Sequence, residues 1–62
     1  MKREWLIELR KSKKMFQREV ASESNITMQL YSYIERGERN PSIEVAKKIA
    51  LVLDFPWTRF FE

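Results

Sequence analysis

Residues 17–36 run Gln17-Arg18-Glu19-Val20-Ala21-Ser22-Glu23-Ser24-Asn25-Ile26-Thr27-Met28-Gln29-Leu30-Tyr31-Ser32-Tyr33-Ile34-Glu35-Arg36, and the fold turns on them. The spacing predicts two short helices of about eight residues each, joined by Ser24-Asn25-Ile26. Where two helices cross closely, one contact position must be small, and Ala21 supplies it. Four residues later the chain must turn sharply, and positive φ there suits glycine best and asparagine next. Asn25 occupies that place. Ile26 is then expected to enter the core, with Tyr31 and Ile34 forming the inward face of the second helix. Thr27, Met28, Gln29, Ser32, Tyr33 and Arg36 are left on its outward face and N-terminal end. None of these is acidic, so the face can approach phosphates and base edges without repulsion.

Working outward, helical spacing continues in both directions. Trp5, Leu6 and Leu9 predict a first helix from about Lys2 to Ser12. Met15 and Phe16 precede a second over Gln17 to Glu23. Thr27 is the expected N-cap of the third, and Gly37 its C-terminal stop. Ser42 caps a fourth helix with a wide apolar face of Ile43, Val45, Ala46, Ile49, Ala50, Val52 and Leu53. Pro56 opens a short fifth helix, Trp57 to Phe61. No period-two run of β-branched residues and no Asn-Gly type of hairpin turn is present. The expectation is an all-α, compact five-helix domain occupying residues 1–62.

Composition excludes most chemistry. The 62 residues contain no cysteine and no histidine. That removes disulfides, thiolate or imidazole zinc sites and histidine general bases. One glycine, Gly37, is too few for a phosphate-cradling loop. No nucleophile–base pair or metal set can be assembled, so we expect neither an enzyme nor a cofactor or metal site. No apolar run is long enough for a membrane span, and Met1-Lys2-Arg3-Glu4-Trp5 does not open like a signal peptide, so a cytoplasmic location is expected. Residues 1–39 hold nine basic and six acidic side chains, whereas residues 40–62 hold three of each. A basic part beside a neutral part suits a domain that turns one side to a polyanion.

The chain resembles the Cro/phage-repressor-type helix-turn-helix family (XRE-like) from Leu6 to Phe61. The likeness rests on Leu6-x-x-Leu9-Arg10, Met15-Phe16-Gln17-x-x-Val20-Ala21, Asn25-Ile26-Thr27 and Tyr31-Ser32-Tyr33-Ile34-Glu35-Arg36-Gly37-x-Arg39-Asn40-Pro41-Ser42. Ile34 to Pro41 is the most specific part. Three positions depart from the family pattern. Phe16 stands where a capping Thr is usual, Ser24 where an apolar residue seals the helix end, and Asn25 where glycine is common. The second helix is therefore expected to lack its usual cap, and Ser24 to be a weak spot in the core.

The resemblance implies a lambda-repressor-like fold with the helix-turn-helix in helices two and three. It implies double-stranded DNA as partner, with Thr27, Met28, Gln29, Ser32 and Tyr33 toward bases. Gln29 can pair bidentately with adenine, and Met28 can meet a thymine methyl. Gln17, Lys13, Lys14, Arg36, Arg39 and Asn40 are the expected phosphate contacts, the alternative for Gln17 and the lysines being plain surface residues. Arg10 and Glu35 are implied as a structural ion pair. Of eight aromatics, Phe55, Trp57, Phe60 and Phe61 lie in the last eight residues. Either Phe55 and Phe60 complete the core, or all four form a two-fold homodimer interface. Two functions stay open on this reading. One is a homodimeric transcriptional repressor on a pseudo-palindromic operator. The other is a protein-interaction module, such as an antitoxin, that holds a protein partner.

Overall fold

The computed structural model describes all 62 residues and contains helices only. Helix α1 spans Glu4–Ser12, α2 Gln17–Glu23, α3 Met28–Glu35 and α4 Ile43–Leu53, followed by a 3-10 turn over Trp57–Phe61. Two boundaries correct the sequence reading. Helix α1 begins at Glu4, because Arg3 lies outside helical φ/ψ and its backbone N–H goes instead to the Glu35 carbonyl at 2.8 Å. The last element is a 3-10 turn, so the five-helix count becomes four helices and a turn. Five residues after a proline give too few i→i+4 bonds to nucleate an α-helix. The tighter spacing takes over, with the Arg59 N–H on the Pro56 carbonyl at 3.0 Å.

Side-chain caps set the start of the two longest inner elements. Thr27 Oγ1 accepts from the Leu30 N–H at 3.1 Å, and Ser42 Oγ from the Val45 N–H at 3.1 Å. Helix α2 has no side-chain cap from Phe16. Glu19 reaches back instead, its Oε1 accepting the Phe16 N–H at 2.7 Å. Arg18 covers the exposed Phe16 ring, 4.8 Å from its centroid.

The core is one cluster of Leu6, Val20, Ala21, Tyr31, Ile34, Ala46, Ile49, Leu53 and Phe60. Helix α2 packs on both α3 and α4, α1 on α3, and α4 on the 3-10 turn. Fully buried Ala21 lets α2 lie close to its neighbours, and Ile26 packs against the cluster. The apolar stripe of α4 is narrower than its sequence suggests, because Ile43 at its start is exposed. Asn25 adopts φ 58° and Gly37 φ 75°. A side chain at Gly37 would also collide with the backbone carbonyl of Met1, 1.7 Å from where a Cβ would stand.

Candidate nucleic-acid interface

Helix α3 has two chemically separate faces. On the inner face Tyr31, Ile34 and Glu35 are buried, and Glu35 is only 2% exposed. A buried carboxylate needs partners, and this one accepts four hydrogen bonds from three residues. Arg10 Nε donates to Oε2 at 2.6 Å and Arg10 Nη2 to Oε1 at 3.3 Å. Tyr31 donates its hydroxyl to Oε2 at 2.6 Å, and Gln17 Nε2 donates to Oε1 at 2.9 Å. Arg10 also holds the Met15 carbonyl at 3.0 Å. One carboxylate thus joins α1, the start of α2 and α3.

Burial pushes the Glu35 carboxyl up. The hydrogen bonds from Arg10, Tyr31 and Gln17, together with the Arg10 charge, outweigh that and hold it below the usual carboxylate range. The Arg10 guanidinium is held protonated by its bond to Glu35. Burial, then the adjacent carboxylate, pushes the Tyr31 phenol far above its ordinary value. The sole acid of α3 is therefore neutralised inside the molecule.

Gln17 is partly committed inside the molecule. Its amide nitrogen is engaged with Glu35 and the side chain is half-buried. It is therefore no free polar group at a helix start, and it keeps one N–H for an outside acceptor.

The outer face is different. Met28 and Gln29 are exposed, Ser32 and Tyr33 half-buried, and Arg36 exposed. No hydrogen bond inside the protein uses the side chains of Gln29, Ser32 or Tyr33, whereas Thr27 is spent partly on its cap. Arg36 lies over the Tyr33 ring at 4.8 Å, with Glu38 3.8 Å from its Nε. Thr27, Gln29, Leu30, Tyr33 and Arg39 line an open depression of about 430 Å³. Lys13 and Lys14 are exposed in the α1–α2 connection, where Lys14 has φ 57°. Asn40 is exposed but bound: its Oδ1 accepts from Arg3 Nη2 at 2.7 Å.

The four tail aromatics divide in two. Phe60, 8% exposed, and half-buried Phe55 pack edge-on with Trp5 at ring separations of 5.1–5.5 Å. The expectation that Phe60 faces a partner is thereby corrected: it completes the core, and Phe55 packs against it. Phe61 is 51% exposed and lies edge-on to half-buried Trp57 at 6.1 Å. Beside Trp57 a shallow depression includes Leu51, which is 85% exposed.

Sequence reasoning missed three contributors. Arg3 binds carbonyls 31 and 36 residues away, and nothing local announces such contacts. The Tyr31 hydroxyl was hidden behind its apolar ring. Glu19 as a cap follows from its place at the third residue of α2, a signal that was available.

Residues 6–60 match the family described as helix-turn-helix. The full chain is 47% identical, over 62 residues, to a Bacillus subtilis (strain 168) protein named "Uncharacterized HTH-type transcriptional regulator YqaF", and covers 82% of that protein. With the match running from Leu6 in α1 to Phe60 in the last turn, this chain belongs to the XRE-type helix-turn-helix family.

Proposed function

We propose that this protein is a sequence-specific DNA-binding transcriptional regulator, a repressor that acts as a homodimer on a pseudo-palindromic operator. In this reading α2 and α3 are the helix-turn-helix, and α3 lies in the major groove, which at about 12 Å wide admits one helix. The observation that carries it is the outer face of α3: hydrogen-bonding side chains without internal partners, with the only acid of the helix turned inward. Gln29 reads a base edge, with Thr27, Met28, Ser32 and Tyr33 beside it. Lys13, Lys14, Arg36, Arg39, Asn40 and the remaining N–H of Gln17 position the domain on phosphates. The naming of the Bacillus subtilis relative as a transcriptional regulator supports the same reading.

One such unit spans only about four or five base pairs, too few for specificity among genomic competitors. A second copy joined through Trp57, Phe61 and the neighbouring Leu51 supplies the other half-site. A repressor needs no more than this, because an occupied promoter is a blocked one. The same exposed apolar groups favour the second reading, in which a protein partner docks on the tail. In both readings the protein binds and does not catalyse.

Selection from a random duplex library tests the proposal directly. Enrichment of two inverted half-sites, about 10 base pairs centre to centre, is the expected result. Affinity for the selected duplex should fall steeply with added salt. Failure to enrich any sequence overturns the DNA-binding reading, and a lone half-site overturns the homodimer.

A further inference from the structure

We infer that Arg3 is a positioning residue for the DNA contact, fixing which end of the Asn40 amide faces outward. The inference rests on the proposed DNA-binding reading and adds to it a residue far from the helix-turn-helix in sequence. Arg3 Nη1 donates to the Ile34 carbonyl at 2.6 Å and to the Arg39 carbonyl at 3.2 Å, while Nη2 donates to Asn40 Oδ1 at 2.7 Å. Its own backbone N–H meets the Glu35 carbonyl at 2.8 Å. Ile34 and Glu35 end α3, where carbonyls lack helical partners and the helix dipole is negative, so a guanidinium is well placed there. The same group lies 5.5 Å from the centroid of the buried Phe60 ring. One planar fork therefore spans the end of α3, the loop after it and the aromatic core.

The consequence is chemical. A guanidinium is donor only, so the part of the Asn40 amide that faces it must be the oxygen. The nitrogen, with both of its N–H groups, then points away from Arg3 on an exposed side chain that makes no other hydrogen bond in the protein. A free asparagine would offer a phosphate its oxygen as readily as its nitrogen. This one is held donor-outward. Burial lowers the Arg3 pKa from its ordinary value, but the bonds described act on the charged form. Lysine could supply the charge but not the fork that reaches three acceptors at fixed geometry.

The test measures affinity for a selected duplex, by fluorescence anisotropy across a salt series, for wild type, Arg3→Met, Asn40→Ala and the double variant. Each single change should weaken binding roughly ten- to hundredfold, the equivalent of one lost hydrogen bond to a charged group. The double variant should bind no worse than the weaker single one, and Arg3→Met should leave the salt slope unaltered. Additive losses, or a slope reduced by about one, would mean that Arg3 itself touches phosphate, and would overturn the inference. A lowered melting midpoint with undiminished affinity, measured well below that midpoint, would show a merely structural role and also overturn it. Arg3→Lys should not restore binding; full restoration counts against the fork. Should Arg3→Met fail to fold, Arg3→Lys replaces it in the cycle with Asn40→Ala, because it keeps the charge and removes the fork. Unchanged melting with lost binding supports the inference, and wild-type binding ends it. Wild-type protein that binds no duplex sinks this inference along with the DNA-binding reading, whereas a binding wild type with unaffected variants sinks this inference alone.

Discussion

The two faces of α3 spend their polar groups differently. Inside, Tyr31 and Glu35 are buried and every donor aimed at the carboxylate reaches it: two from Arg10, one from Tyr31 and one from Gln17. Outside, Gln29, Ser32 and Tyr33 carry comparable chemistry with no hydrogen-bond partner in the protein. A residue whose hydrogen bonds are complete within the molecule has little left for a ligand. One whose bonds are open to solvent contributes little to the fold. Polarity alone therefore does not separate the two faces of this helix; whether the polar groups are filled within the molecule does. Inner-face changes should cost stability, and outer-face changes should cost binding.

Removing the carboxylate should have the largest effect. Glu35→Ala strands the Arg10 guanidinium, itself largely buried at 13% exposure, and we expect a loss of about 3–5 kcal/mol in urea unfolding. In so small a domain that approaches the whole stability. The same pair predicts the acid response. Because the folded Glu35 pKa lies below its unfolded value, its contribution is complete above the ordinary glutamate pKa of about 4.3. It is lost as pH falls through the folded value. The urea midpoint of wild type should therefore decline on that acid side. Glu35→Gln should lower stability near neutrality and flatten the decline, and an unaltered pH profile would exclude Glu35 as its source.

Next in size, Tyr31→Phe removes one hydroxyl donor to the buried carboxylate and should cost about 1.5–3 kcal/mol of stability. The outer-face counterpart is Gln29→Ala. It should leave stability within about 0.5 kcal/mol, since the side chain is exposed and unbonded. Its cost should appear in binding, at roughly 1–3 kcal/mol on the selected site and little on random duplex. Equal losses on both duplexes would reassign Gln29 to the backbone. A large stability loss would break the contrast between the faces.

Much of this was legible because it is local. The Thr27 and Ser42 caps, the left-handed Asn25 and the α2 boundaries follow from residues within one turn of each other. The Arg10–Glu35 contact came from family resemblance, and the structure adds Tyr31 and Gln17 around it. What stayed hidden is long-range or decided by packing. Arg3 was one unremarkable basic residue among twelve until the fold brought it to the end of α3. Four crowded aromatics could not be sorted from sequence, because the choice depends on where Trp5 arrives. It arrives beside Phe55 and Phe60, leaving Phe61 the most exposed of the four.

The smallest expected effect lies at the turn that supports both faces. Ser24, 1% exposed at the end of α2, is as buried as Glu35, yet its Oγ has no hydrogen-bond partner. Its backbone N–H is satisfied by the Val20 carbonyl at 2.9 Å, so only the hydroxyl is orphaned. A buried hydroxyl without a partner costs roughly 1–3 kcal/mol by protein mutational data. Deleting it returns part of that, less the contacts of one small atom. Ser24→Ala keeps the Cβ and suits the right-handed helical conformation found there. It should therefore stabilise by about 1 kcal/mol, raising the urea midpoint without altering its slope. DNA affinity should not change, because the residue reaches neither the outer face nor the Glu35 cluster. Destabilisation would show that the hydroxyl finds a partner after all, and that the turn is as fully satisfied as the inner face of α3.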